Sequence, residues 1–193
     1  SPPDSVPMKK TLLLPLLAVT LALAACGKPA ADSSKLVVAA TAVPHAEILA
    51  VVKPILQKEG LELDVKVFND YVQPNDQLVQ KQVDVNYFQT EPYLDAYNRD
   101  RKTDLTKVIG VHIEPFGAYS RRFKSLADLP VGADVVIPND PSNNSRALIL
   151  LPKAGVITLK DPTNALATQR DIIANPKQLK FRELDSAMLP RVL

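Results

Sequence analysis

Ile137-Pro138-Asn139-Asp140-Pro141-Ser142-Asn143-Asn144-Ser145-Arg146-Ala147-Leu148-Ile149-Leu150-Leu151 is the stretch whose reading decides the fold. An apolar β-type run, Val135-Val136-Ile137, breaks at a turn of Pro, Asn, Asp and Ser, and a helix-type run carrying Arg146 follows. Strand, polar turn and helix N-terminus make an anion seat in α/β proteins, because the first N–H groups of a helix lack intrahelical partners. Asp140, Ser142 and Asn143 are all candidate caps. Arg146 stands close to the helix start, where a cation opposes the helix dipole unless an anion joins it. The expectation is a seat for a small carboxylate or phosphate. An ordinary capped helix with a solvated Arg fits the same residues equally well.

Outward from this stretch the chain alternates. Upstream, 35–40 reads as a buried strand. Residues 44–59 read as a helix with Ile48, Leu49, Val52, Ile55 and Leu56 at helical spacing, closed by Gly60. Strand 63–68, short helix 74–81, strand 83–88, helix 92–101 and strand 106–113 follow. Downstream of a short turn at 125–130 come strand 134–138, helix 142–154, a short strand near 156–159, helix 163–173, strand 179–184 and the start of another helix at 186–193. Strands alternating with helices predict parallel or mixed sheets in an α/β fold. Two α/β lobes are expected, 35–119 and 120–193, the second incomplete: it would have few strands and an open edge, as if the natural C-terminus were missing.

The N-terminus reads as an address. Met8-Lys9-Lys10 precedes an apolar segment, 11–25, too short to span a bilayer comfortably. It ends in Leu23-Ala24-Ala25-Cys26-Gly27, which resembles the lipobox of bacterial lipoproteins, in which the Cys is diacylated and becomes the new N-terminus. Cys26 is the lone cysteine, so no internal disulfide can form. Residues 1–7 precede the expected start Met and read as an extension; 8–25 read as the signal peptide, and 26–34 as a small, polar linker of the flexible type.

Formal charge is +2 over 193 residues, too small for a nucleic-acid partner to follow from it. No Gly-rich phosphate loop and no metal-type His/Cys cluster stands in the sequence, so neither cofactor nor metal is expected. His45 and His112 are far apart and read as structural; Asp84 and Glu91 read as solvated carboxylates, and Arg121, Arg122 and Lys124 as a solvated hinge surface. The chemistry gathers elsewhere. Three strand-to-helix turns fall at the carboxyl ends of strands, where α/β folds place ligands. They carry Tyr71, Tyr87, Phe88, Gln89, Tyr93, Asn143 and Arg146. Aromatic rings, amides and one Arg suit a small zwitterion: Arg clamps the carboxylate, amide and phenol oxygens accept from the ammonium, and rings wrap the side chain. Each aromatic alone suits a core position better; their coincidence at several turns favours a pocket.

Leu23-Ala24-Ala25-Cys26, Phe68-Asn69-Asp70-Tyr71-Val72-Gln73-Pro74-Asn75, Asp84-Val85-Asn86-Tyr87-Phe88-Gln89, Pro92-Tyr93-Leu94, Val111-His112-Ile113-Glu114-Pro115-Phe116-Gly117-Ala118-Tyr119-Ser120 and the opening stretch together resemble the MetQ/NlpA-like lipoproteins, substrate-binding components of methionine ABC importers. The resemblance runs from Met8 essentially to Leu193. It implies a two-lobed periplasmic-binding-protein-like fold, anchored through Cys26 on the extracytoplasmic side of a membrane. That fold would close by a hinge motion on methionine or a related amino acid and deliver it to an ABC permease and its ATPase. By the same resemblance Arg146 binds the ligand carboxylate, Asn143 joins the polar cage, Tyr71, Phe88 and Tyr93 line the side-chain pocket, and Gln89 and Thr90 border it. Thr90 stands where the family commonly has His, and Ser145 where it commonly has Gly before Arg-Ala-Leu. A surface lipoprotein or adhesin that has lost transport is the alternative. An enzyme on a related fold would need a nucleophile, metal cluster or cofactor loop that the sequence does not display.

Overall fold

The computed structural model describes residues 34–193. The extension, the signal segment, Cys26 and nearly all of the linker lie outside the described residues. Strand β1 (Lys35–Thr41) is followed by a kinked π-type turn (Ala42–Ala46) and helix α1 (Glu47–Lys58). Then come β2 (Glu62–Phe68), α2 (Gln73–Val79), β3 (Val85–Tyr87) and α3 (Glu91–Arg101). Gly60, at φ +85°, takes the left-handed conformation that ends the α1 turn at little cost. β1 lies between its neighbours in the order β2-β1-β3, and both pairings are parallel, with Val38 opposite Val65 on one side and Val85 on the other. Ala39 and Ala40 in the central strand are completely buried, as the continuous apolar run of a parallel strand requires.

The second α/β region holds β4 (Asp134–Pro138), α4 (Pro141–Lys153), β5 (Thr158–Leu159), β6 (Ile172–Ala174) and β7 (Lys180–Leu184), and a 3₁₀ segment, Ser186–Val192, follows. β4 pairs with β7 in parallel and β5 with β6 antiparallel, so the sheets are mixed. Its core gathers Ile137, Leu148, Leu151, Val156, Ile157, Leu159 and Leu179. Leu148 is fully buried, which is worth about 1.5–3 kcal/mol relative to exposure. Lys35–Leu193 form one compact unit, with α3 lying against α4.

Two predicted elements are absent. Residues 106–113 form no strand: Val108, Ile109, Val111 and Ile113 are exposed, and among the described residues no ladder receives them. A strand exists only through its pairing, so a β-type pattern without a partner stays extended chain. Residues 163–173 form no α-helix. Asp161 Oδ1 accepts from both Thr163 N (2.8 Å) and Thr163 Oγ1 (2.7 Å), and Asn164 Oδ1 accepts from Leu166 N (2.9 Å). The Asn164 bond takes an N–H that the first turn of a helix would use, so local turns form instead. Thr168 and Asp171 then close a capping box around a single 3₁₀ turn, Gln169–Asp171, and the chain enters β6. The predicted helix start at 186–193 is likewise 3₁₀.

Candidate functional site

The turn from β4 into α4 is built on Asp140, one of the three candidate caps. Its Oδ2 accepts from the backbone N of Asn143 at 2.9 Å and from Ser142 Oγ at 3.2 Å; its Oδ1 accepts from Ser186 Oγ at 2.7 Å and from Asn143 Nδ2 at 3.3 Å. Asn143, pinned by its amide nitrogen, turns its Oδ1 to accept from Arg146 Nη1 at 3.0 Å. Arg146 also stacks on Phe116, with Cζ 4.7 Å from the ring centroid. With Pro141 as the first helical residue, Arg146 falls in the second turn rather than at the helix start. The dipole penalty expected from sequence is therefore small, since that field fades within the first turn. Among the described residues no carboxylate lies within ion-pair distance of this guanidinium. Asp140, Asn143 and Phe116 hold a cation in place without neutralising it.

The opposite wall comes from two turns of the first sheet. Tyr71 follows β2, and Phe88 and Tyr93 flank the start of α3. Their ring centroids stand 6.2 Å (Tyr71–Phe88), 6.2 Å (Tyr71–Tyr93) and 5.8 Å (Phe88–Tyr93) apart, tilted or edge-to-face. Such pairs add about 0.5–1.5 kcal/mol beyond area burial. Tyr93 OH donates to the carbonyl of Tyr71 at 2.7 Å, tying the two turns together. Burial raises both phenols above their ordinary pKa, with nearby carboxylates such as Asp140 adding to it, so both stay protonated.

Beneath the rings lies an amide network. Gln89 and Asn75 exchange reciprocal bonds of 2.9 Å, and Asn86 donates to Asn75 Oδ1 at 2.8 Å and to the carbonyl of Pro74 at 3.2 Å. Asn75 is wholly buried, so this satisfaction matters: an orphaned buried amide costs about 1–3 kcal/mol. Gln89 thus serves mainly to hold the turn. Thr90 caps α3, its Oγ1 accepting from Tyr93 N at a long 3.4 Å.

Between the walls is an open cleft of about 160 Å³ lined by Tyr71, Phe88, Gln89, Thr90, Tyr93, Asn143 and Arg146 together with Glu114, Phe116 and Leu189. Of the residues that the sequence places on the converging turns, all but Tyr87 line one cavity, and Thr90 joins them. Sequence reasoning missed Phe116 and Glu114. Their segment marks the boundary between the expected lobes and carries part of the family resemblance, but gains no ligand role from sequence, although its aromatic Phe116-Gly117-Ala118-Tyr119 is a signal for one.

Other sequence readings change. Asp84 is not simply solvated: its Oδ2 accepts from Val37 N at 2.8 Å, fastening the approach to β3 onto β1. Glu91 pairs with Lys107 at 2.7 Å. Arg121, Arg122 and Lys124 are exposed. His45 and His112, set apart by sequence distance, meet in space with ring centroids 5.4 Å apart, and both reach Glu114. Burial lowers the pKa of His45, against an opposing pull from Glu114.

With this geometry in hand, the chain can be set beside known proteins. The family described as NlpA lipoprotein matches residues 36–193. The chain is 39% identical over 187 residues to a probable D-methionine-binding lipoprotein MetQ of Vibrio cholerae, covering 96% of this chain and 70% of that one. It is 45% identical over 184 residues to the methionine-binding lipoprotein MetQ of Bacillus subtilis, covering 92% and 67%. Among solved structures, a nutrient binding protein from Burkholderia cenocepacia bound to methionine superposes with a TM-score of 0.78 at 48% identity, over 82% of this chain and 67% of that one. The chain spans about two thirds of the length of these relatives.

Proposed function

The chain belongs to the NlpA lipoprotein family, and from that premise we propose that it is the substrate-binding lipoprotein of an ABC importer for methionine or a closely related amino acid. It is anchored to the extracytoplasmic face of a membrane through a lipid on Cys26. Its ligand sits between lobes 35–119 and 120–193 and passes to a permease driven by an ATPase. It has no catalytic step.

The observation that carries this reading is the pairing of an unneutralised Arg146 with three packed rings across one cleft. Arg146, oriented by Asn143, takes the amino-acid carboxylate in a charge-assisted bond worth about 1.5–3 kcal/mol. Tyr71, Phe88 and Tyr93 receive an apolar side chain, and a thioether gains from sulfur–ring contact as well. Thr90 spends one lone pair on the long cap bond and keeps its hydroxyl proton, so it can add a short polar contact beside the rings.

Titration calorimetry of the purified protein with L-methionine, D-methionine and alanine tests the assignment. Both methionine isomers or one of them should bind, alanine should bind far more weakly, and Arg146→Ala should weaken methionine at least tenfold. Absence of methionine binding, or an affinity that Arg146→Ala leaves unchanged, ends the proposal.

A further inference from the structure

Two histidines outside the cleft, together with Glu114 at its border, form a cluster that the amino-acid reading does not use. His45 follows the end of β1, and His112 and Glu114 come from the chain that crosses between the two sheeted regions. They converge although they are distant in sequence. His45 Nε2 is 3.3 Å and His112 Nε2 2.7 Å from the same oxygen, Glu114 Oε1, and one donor atom from each residue lies within 4.8 Å of the others.

We propose that His45, His112 and Glu114 form a binding site for a divalent transition metal of the zinc type. Two imidazoles and one carboxylate are a donor set suited to such ions, neither the oxygen-only shell of calcium and magnesium nor a thiolate cluster. With metal–ligand bonds of about 2.0–2.1 Å, neighbouring ligand atoms of a tetrahedral ion stand about 3.3 Å apart. Two of the three separations, 2.7 and 3.3 Å, lie near that spacing, and the third is no longer than 4.8 Å. His45 is buried whereas Glu114 is half-exposed, which leaves an entry path and room for a solvent ligand to complete the shell.

The outer nitrogens strengthen the case. Thr41 Oγ1 lies 2.7 Å from His45 Nδ1, and Tyr87 OH lies 2.6 Å from His112 Nδ1. Each imidazole is therefore held from behind by a hydroxyl, the outer-shell support that metal-bound histidines use to fix ring orientation and tautomer. A hydroxyl can donate or accept. Without metal, Nε2–H donates to Glu114 and Nδ1 accepts; with metal, Nε2 gives its lone pair to the ion and Nδ1–H donates to the hydroxyl oxygen. The same heavy-atom frame serves both states. This also assigns Tyr87 a place, since it takes no part in the aromatic wall of the cleft. Tyr87 packs edge-on to His45, with centroids 4.8 Å apart.

The inference is independent of the amino-acid reading, and its test uses no amino acid. The intact protein, stripped with a chelator, is titrated with Zn²⁺ by calorimetry and with Co²⁺ by visible absorption. One Zn²⁺ should bind per chain, and Co²⁺ should give the intense bands of a four-coordinate site with nitrogen and oxygen ligands. Tyr87→Phe, which removes only the support of one ligand, should weaken Zn²⁺ by about tenfold to a hundredfold. His112→Ala and Glu114→Gln should weaken it further and erase the Co²⁺ bands, with circular dichroism establishing that each variant is folded. Lack of saturable Zn²⁺ binding overturns the site. So does binding unchanged in folded Tyr87→Phe and Glu114→Gln, because a merely structural hydrogen-bonded cluster predicts no such dependence.

Discussion

The turn from β3 into α3 and the turn from β4 into α4 face each other across the cleft and present opposite materials to it. The first presents rings, Phe88 and Tyr93 packed with Tyr71 over the hydrogen-bonded amides of Asn75, Asn86 and Gln89, and its helix starts on a single long cap bond to Thr90. The second is held by hydrogen bonds. Asp140 accepts four of them, Ser142, Asn143, Asn144 and Ser145 are all buried, and Ser145 Oγ reaches the carbonyl of Ala165 at 2.6 Å. Rings tolerate small shifts because their contacts are broad and weakly directional. A guanidinium aimed at a carboxylate does not, because bidentate geometry fails with small misplacement. On the proposed reading, the contrast leaves shape recognition to packing and charge recognition to a rigid polar scaffold.

This contrast can be broken experimentally. The largest effect belongs to the core under the polar turn. Leu148→Ala should cost about 2–5 kcal/mol, read as a fall in the urea midpoint, because the site is fully enclosed. Next is the scaffold. Asp140→Ala should cost about 0.5–2 kcal/mol of stability as a lost cap. It should also weaken the ligand, because Asn143 loses its anchor; stability lost with affinity intact would show that Arg146 needs no scaffold. Thr90→Ala should fall at or below the low end of that cap range, about 0.5 kcal/mol, in the same denaturation assay. A larger loss than for Asp140→Ala would invert the comparison.

The last effect is alkaline. Tyr97 donates to Asp76 Oδ1 at 2.6 Å, and partial burial followed by that bond pushes its pKa up to about 12. The unfolded phenol ionises near 10 and the folded one near 12, so the unfolded chain releases its proton first, and stability falls as pH rises through that window. The thermal midpoint of Tyr97→Phe should therefore fall less between pH 10 and 12 than that of the parent protein.

Much of this was legible from local pattern. The β4–turn–α4 stretch was read as a strand, a capped turn and a helix, and it is one. Its residues carry their own instructions, a β-branched run and then Asp140 three positions before the N–H it caps. The helix predicted over 163–173 failed because Asn164 takes the N–H of Leu166, a competition that apolar spacing does not register. The strand predicted over 106–113 failed for the converse reason: its pattern suits a sheet, but pairing depends on a neighbour elsewhere in the chain.

Periodicity, caps and turn residues thus suffice for most elements and set Tyr71, Phe88, Tyr93, Asn143 and Arg146 at or near strand-to-helix turns, because those signals act over a few residues, whereas the part proposed for each in a ligand pocket comes from the family resemblance. Only the folded chain decides which of them share a cavity, that Phe116 lies under the Arg146 guanidinium, and that His45, His112 and Glu114 share an oxygen. Those juxtapositions follow from the parallel pairing of β1 with β3 and of β4 with β7, and from the path of the segment between the sheets. Such long-range pairings close loops of tens of residues, and no local pattern in the sequence encodes them.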